Sequence, residues 1–123
     1  MLGQKVSDFG FKEQFDLFNY LKNNTGEFPL VVDADDLRNN TKETLIKLCN
    51  GLNIEWDPLM LSWEPGLKEY DGVWAKHWYK SVENSTGFAS YTEKQLQLND
   101  EQLEVVNQVQ PFYQQLYDKR IIV

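Results

Sequence analysis

The stretch LSWEPGLKEYDGVWAKHWYKSVENSTGF, residues 61–88, concentrates the chemical groups of this chain. It contains three of the four tryptophans, the only histidine and three of the seven glycines. An indole ring buries a large area and keeps a polar N–H, and the lysine, histidine and hydroxyl side chains beside it are able to contact polar ligand atoms. The stretch is therefore the first candidate for a functional site.

The segments before this stretch have the patterns of a scaffold. Apolar residues recur at helical spacing between residues 9 and 23, which predicts a first helix: Phe11, Phe15, Phe18 and Leu21. Residues 28–32, FPLVV, are typical of a buried strand in a largely parallel sheet, with Pro29 near its start. A second helix is predicted to begin with Thr41 as its N-cap and to end near residues 51–53.

Two further helices are predicted after residue 70. Asp71 could cap a helix on which Trp74, Trp78 and Val82 share a face, and residues 84–87 would close it. Asn99 and Gln102 resemble a capping box, so a last helix is expected from Asn99 onward, kinked or restarted at Pro111. Residues 89–98 resemble a linker. The prediction is a mostly helical α/β chain, in which one strand cannot form a sheet alone.

Composition excludes several classes of protein. A net charge of -7 and a pI of about 4.6 argue against nucleic-acid binding, which needs clustered lysine and arginine. Cys49 is the only cysteine, so neither an intrachain disulfide nor a cysteine-rich metal site is expected. Neither a signal peptide nor a membrane-spanning run is recognisable, so we expect a cytoplasmic protein without a membrane partner.

The acidic turn VVDADDL, residues 31–37, has two interpretations. Its three carboxylates could hold a divalent cation, because Mg²⁺ prefers oxygen ligands. Alternatively, they form a solvated turn that complements the start of the following helix, and this interpretation is favoured because the spacing lacks the pattern of a calcium loop. No metal is therefore predicted.

The titratable side chains of the central stretch also allow two interpretations. His77 is a candidate general base because its usual pKa lies near neutrality, although without an identified nucleophile a structural or substrate-orienting role is favoured. Lys76 and Lys80 are four residues apart, so on one helix they could hold a phosphate or sulfate together. The alternative, which is favoured, is a pair of surface lysines whose stems cover the tryptophans.

The remaining candidates are aromatic or small and polar. Trp74 and Trp78 are expected in a core, as aromatic pairs at helical spacing usually are, and stacking on a purine ring is the alternative. Ser85 and Thr86 could donate hydrogen bonds to an anion, but the end of a helix explains them equally well. No glycine is followed by lysine, so the G-x-x-x-x-G-K-[ST] phosphate loop is absent from this sequence.

Several segments together resemble the C-terminal half of a sulfotransferase-like P-loop protein. The resemblance rests on LVVDADDL, on TKETLIKLCNGLNI and on WDPLMLSWEPG. The segment DGVWAKHWYKSVENSTGF is similar to a signature of one bacterial and plant branch, whose plant members are often labelled aminotransferase-like.

This resemblance implies a three-layer α/β fold in which a parallel sheet positions 3'-phosphoadenylyl sulfate. Residues 1–123 would be one partial domain, the C-terminal half, with one or two parallel strands. In the family, the phosphosulfate loop and the usual catalytic base belong to the N-terminal half, which another segment or chain would have to supply as a partner. The C-terminal half supplies a lid near the 3'-phosphate and adenine, and its nearest equivalents here are Gly72, Trp74 and Lys76. Glu69, Tyr70 and Asp71 replace the basic residues that usually precede the glycine.

Two functions follow as hypotheses. In the first, the chain is the C-terminal portion of an enzyme that transfers a sulfuryl group to a small-molecule acceptor, and it is inactive alone. Its donor-binding residues would be Gly72, Trp74, Lys76, Trp78, Lys80, Ser85 and Thr86, with His77 orienting the acceptor. In the second, the chain is a non-catalytic helical module that binds another protein through its tryptophan-rich face.

Overall fold

The computed structural model describes residues 9–78 and 80–123 of the chain. These residues form six α-helical segments and short 3-10 turns, among them Pro58–Leu61 and Glu69–Asp71. The helical segments are α1 (Phe11–Thr25), α2 (Ala34–Asn39), α3 (Thr41–Leu52), α4 (Ala75–Trp78), α5 (Lys80–Glu83) and α6 (Asp100–Asp118). The predicted mostly helical character is confirmed.

The chain divides into two compact units. The first unit combines the described part of Met1–Asp33 with Thr92–Ile122, and in it α1 packs on α6. Phe15 of α1 lies 5.7 Å from Phe112 of α6 between ring centroids. Phe18, Val109 and Leu116 are buried at this helix pair, so the apolar faces predicted for the first and last helices form its core.

Helix α6 begins where the sequence predicts. The Asn99 side chain accepts a hydrogen bond from the Gln102 amide at 2.8 Å, and the Gln102 side chain accepts one from the Asn99 amide at 3.0 Å. This reciprocal capping box satisfies amides that a helix start leaves unpaired. The helix continues through Pro111 to Asp118 without ending, so the proline does not begin a new element.

The second unit, Ala34–Tyr91, contains α2 and α3, which pack on each other. Thr44 is almost fully buried, and its hydroxyl donates to the Asp36 carbonyl at 3.4 Å. Cys49 is buried as a small apolar residue. The predicted second helix is confirmed, but Asn40 occupies the N-cap position predicted for Thr41, which is the first helical residue.

The strand predicted at residues 28–32 is wrong for this structure. The described residues form no strand, and Ser62 and Gly87 make an isolated antiparallel bridge. The Val31 carbonyl accepts one hydrogen bond, at 2.9 Å, from the Ile121 amide. A strand needs a neighbour that pairs with successive backbone groups, and one contact does not provide such a ladder. Phe28 and Leu30 consequently remain exposed.

Candidate functional site

The site begins with a closed loop in the second unit. We call residues 61–66 and 83–88 the neck, and residues 67–82, described except for Tyr79, the tip. Besides the bridge between Ser62 and Gly87, the Trp63 amide donates to the Thr86 carbonyl at 2.9 Å. The Gly66 amide donates to the Glu83 carbonyl at 2.6 Å. These bonds join the two arms of the loop side by side.

Gly87 allows the two arms of the neck to approach closely. A Cβ atom at this position would lie 3.2 Å from the Leu61 carbonyl oxygen, which is closer than ordinary van der Waals contact. A side chain at residue 87 would therefore require the Leu61 backbone to move by a few tenths of an ångström. The glycine of the Ser-Thr-Gly turn has a structural explanation in this close approach.

The indole of Trp63 fastens the neck from one side. Its Nε1–H donates to the Ser85 hydroxyl at 3.0 Å, and that hydroxyl donates in turn to the Val82 carbonyl at 2.7 Å. The Trp63 ring meets Phe88 edge to face, with 5.5 Å between the centroids. The Ser85 hydroxyl is thus already hydrogen-bonded within the neck in this structure. Thr86 is exposed, and its carbonyl accepts the hydrogen bond from the Trp63 amide. Their roles toward a cofactor stay predictions.

The helix predicted to start at Asp71 starts later. The Asp71 carboxylate accepts from the Lys68 amide at 2.7 Å and so closes a 3-10 turn. Gly72 follows with φ 83° and ψ 170°, a conformation that favours glycine and interrupts a right-handed helix. Helix α4 begins only at Ala75, and α5 ends at Glu83, immediately before the segment predicted to close the helix. The predicted donor-site residue Gly72 therefore acts in this structure as a break before α4.

The tip exposes its tryptophans. Trp74 is 68% and Trp78 75% exposed, although the Trp74 carbonyl holds the chain locally by accepting from the amides of His77 and Trp78. The interpretation of these indoles as core residues is therefore wrong in this structure. Ala75, on the same short helix, is the buried residue. Exposed apolar patches on proteins often mark sites of interaction.

Two lysines and the histidine lie next to these indoles in the sequence. Lys76 and His77 lie in α4 and Lys80 begins α5, and all three residues are exposed. Within residues 9–78 and 80–123, none of them forms an ion pair. By contrast, the ammonium of Lys68 donates to the carbonyls of Glu64 and Pro65, so it helps to fix the base of the tip. The side chains of Lys76, His77 and Lys80 are thus accessible to donate hydrogen bonds to an anion.

The acidic turn is part of the scaffold. Asp35 and Asp36 fall in the first turn of α2, where negative charge complements the helix dipole. Asp33 accepts a hydrogen bond from the Tyr113 hydroxyl at 2.7 Å within the first unit. No group of three or more His, Cys, Asp and Glu side chains is arranged for a metal among the described residues. None of the helices they form combines the length and apolar character that crossing a bilayer requires.

Two features were not recognised in the sequence. Arg38 of α2 holds the chain immediately after the neck, a contact across 51 residues that no local pattern signals. The first unit also carries an apolar groove of about 350 Å³, and none of the predicted site residues lines it. Its walls are formed by Phe9, Phe11, Leu98, Gln102, Val105, Val106, Val109, Gln110 and Tyr113.

Comparison with known proteins places this chain in a family. The model of the sulfotransferase domain matches residues 4–120, nearly the whole chain. The chain belongs to the sulfotransferase domain family. The resemblance inferred from the sequence is thereby confirmed at the level of the family.

Two curated relatives, both from Arabidopsis thaliana, align with part of this chain. Branched-chain-amino-acid aminotransferase-like protein 1 is 49% identical over 65 residues, and protein 2 is 43% identical over the same length. Each match covers 53% of this chain and 12% of the relative, so the match spans about an eighth of the relatives' length. No solved structure matches this chain.

Proposed function

We propose that this chain is the C-terminal portion of a sulfotransferase of the bacterial and plant branch. The complete protein would transfer a sulfuryl group from 3'-phosphoadenylyl sulfate to a small-molecule acceptor. The observation that carries the proposal is the tip itself, where Trp74 and Trp78 are exposed on a loop fixed at its neck. The exposed lysines Lys76 and Lys80 belong to the same tip. Membership of the sulfotransferase domain family supports the donor and the reaction.

In this proposal the tip closes over the donor nucleotide. Trp74 or Trp78 stacks on the adenine, because an indole offers a large flat face. Lys76 and Lys80 of the tip approach the nucleotide's phosphate as mobile point charges. Thr86 lies in the neck, after them in the sequence. His77 orients the acceptor. Sulfuryl transfer also needs donors around the bridging oxygen and a base for the acceptor, as phosphoryl transfer does.

Those last groups are expected outside this chain. The sequence has no glycine followed by lysine, so it lacks the loop that would cradle the phosphosulfate. We therefore propose that an N-terminal half, or another chain, supplies the phosphate loop and the remaining sheet of a three-layer fold. Without that partner we expect no transfer, because nothing neutralises the leaving group.

The acidic residues before Gly72 would repel a phosphate, but one of them already accepts a hydrogen bond within the tip. The Asp71 carboxylate already accepts a hydrogen bond from the Lys68 amide, which offsets some of its charge. Glu69 remains a negative neighbour in the same 3-10 turn. We therefore expect Lys76 and Lys80, on the far side of the glycine, to provide the favourable contacts. The affinity of the isolated chain should be low.

A thermal-shift experiment tests the proposal. Addition of millimolar adenosine 3',5'-bisphosphate should raise the melting temperature, because a ligand that binds only the folded state stabilises it by mass action. A chain carrying Trp74→Ala and Trp78→Ala should show a much smaller rise. An unchanged melting temperature of the original chain at this concentration would contradict the nucleotide lid.

The name of the plant relatives does not change this proposal. It describes them as aminotransferase-like, but only 12% of either relative aligns with this chain. An activity named for the whole protein is therefore not transferred to the part that aligns here.

A second candidate function is a helical module that binds another protein. It is favoured by the breadth of the exposed apolar surface, since Tyr70 is 84%, Val73 77% and Val82 63% exposed in addition to the indoles. The reading frame upstream distinguishes the candidates. A strand followed by a glycine-rich loop with lysine supports the enzyme, and its absence supports the module.

A further inference from the structure

Arg38 contacts the segment that follows the neck of the loop. Its Nε donates to the Ala89 carbonyl at 3.3 Å, and its Nη2 donates to the Ser90 carbonyl at 2.7 Å. The centre of the guanidinium lies 5.8 Å from the centroid of the Tyr91 ring. One side chain thus contacts three successive residues. Nothing in the proposed nucleotide site uses it.

The contacted segment has little else to hold it. Residues 88–98 form neither helix nor strand, and Ala89, Ser90 and Tyr91 are all exposed. Irregular exposed chain opens readily because few buried contacts oppose its motion. Without a contact from elsewhere in the unit, the backbone of the segment after the neck would therefore move readily.

Arg38 itself is attached to an ordered support. The Asn40 amide donates to the Asp36 carbonyl at 2.9 Å, and buried Thr44 bonds to the same carbonyl through its hydroxyl. Helices α2 and α3 are thereby packed together. A planar guanidinium with fixed donor directions is able to hold two neighbouring carbonyls at once, which a single ammonium on a flexible stem does less well.

We propose that Arg38 is a positioning residue that holds the arm after the neck on α2 and thereby fixes the neck from which the tip closes. Arg38 touches backbone and one ring, and it acts on the ligand only through the loop. What the tip closes over rests on the proposed function. The fastening of the neck by Arg38 does not.

Hydrogen exchange of the ligand-free chain tests whether Arg38 stabilises the neck. In the Arg38→Gln chain, the amides of Trp63 and Gly66, which bond across the neck, should exchange at least about fivefold faster. The Ile54 amide, which bonds to the Cys49 carbonyl at the end of α3, should keep its rate. Arg38→Lys should restore the slow rates only in part.

Arg120→Gln is the matched control. Arg120 also combines a carbonyl contact with a ring contact, because it donates to the Tyr117 carbonyl at 3.1 Å and lies 3.7 Å from the Tyr117 ring centroid. It belongs to the first unit, so its loss should leave exchange at Trp63 and Gly66 unchanged. Unchanged rates at these amides in Arg38→Gln would overturn the inference. Equal acceleration at Ile54 would overturn it too, since it would show general destabilisation.

A ligand titration separates this inference from the proposed function. If the original chain binds adenosine 3',5'-bisphosphate, Arg38→Gln should raise its dissociation constant by about threefold, because the tip would no longer start from a fixed neck. Affinity that does not change despite faster exchange would contradict the link between neck and ligand. If the original chain does not bind, the nucleotide proposal fails while the exchange result still decides the role of Arg38.

Discussion

The neck and the tip of the loop contain the same kind of residue in opposite surroundings. Trp63 in the neck is 38% exposed, donates a hydrogen bond and meets another ring. Trp74 and Trp78 in the tip are about twice as exposed, at 68% and 75%. Aromatic residues that are close together in the sequence therefore have different roles in this loop. Trp63 stabilises the neck, whereas Trp74 and Trp78 expose their rings at the tip.

The largest effect should be on stability, and it should distinguish neck from tip. Trp63→Ala removes the bond to Ser85 and the ring contact with Phe88, so we expect the free energy of unfolding to fall by about 2 kcal/mol. Trp74→Ala should change it by less than about 0.5 kcal/mol, since an exposed side chain loses few contacts. Urea unfolding followed by circular dichroism measures both. Equal losses would abolish the contrast.

The sequence predicted the parts of this structure that depend on local patterns. The α1 and α6 faces follow from helical spacing, and the capping box at Asn99 and Gln102 follows from the residue types. The strand at residues 28–32 was predicted from apolar β-branched residues, but a strand also depends on a partner that these residues do not have here. Local pattern does not specify pairing.

The candidate site was predictable as a segment but not as an arrangement. Helical spacing placed Trp74 and Trp78 on one face, yet spacing does not say whether that face meets a core or water. Gly72 delayed the helix because its positive φ is incompatible with helical backbone, a property the sequence permits without requiring. The Arg38 contact and the Trp63–Ser85 bond join distant residues, which only the fold brings together.

The next effect should be on ligand affinity, and there the order of neck and tip reverses. The chain with Trp74→Ala and Trp78→Ala should bind adenosine 3',5'-bisphosphate about tenfold more weakly, because stacking of one base on an aromatic ring contributes about 1–3 kcal/mol. Its unfolding free energy should stay close to that of the original chain. Isothermal titration calorimetry gives the affinity. Affinity unaffected by the loss of both indoles would remove the tip from the proposed site.

Within the neck, Ser85→Ala sharpens the account of the serine. It removes the acceptor of the Trp63 indole, so we expect a loss of about 1 kcal/mol in unfolding free energy. Ser81→Ala, at an exposed position in α5, is the matched control and should cost less than about 0.5 kcal/mol. Denaturant midpoints of the two variants provide the comparison. If Ser85→Ala is as mild as the control, the hydroxyl is available for a ligand.

The smallest effect should come from the tip lysines. Lys76→Gln and Lys80→Gln should each weaken bisphosphate binding by about threefold, and added salt should reduce that difference because exposed charges are screened. Lys12→Gln is the control, since Lys12 is exposed on α1 and already paired with Asp16 at 2.7 Å. Calorimetric titrations at low and high salt check this. An equal loss in the Lys12 variant would point to general charge rather than a site.

The most direct measurement follows the indole N–H resonances by NMR during titration with adenosine 3',5'-bisphosphate. The account predicts that the signals of Trp74 and Trp78 shift progressively and saturably, while that of Trp63, which is bonded to Ser85, stays in place. Signals of Trp74 and Trp78 that remain fixed up to millimolar ligand would contradict it.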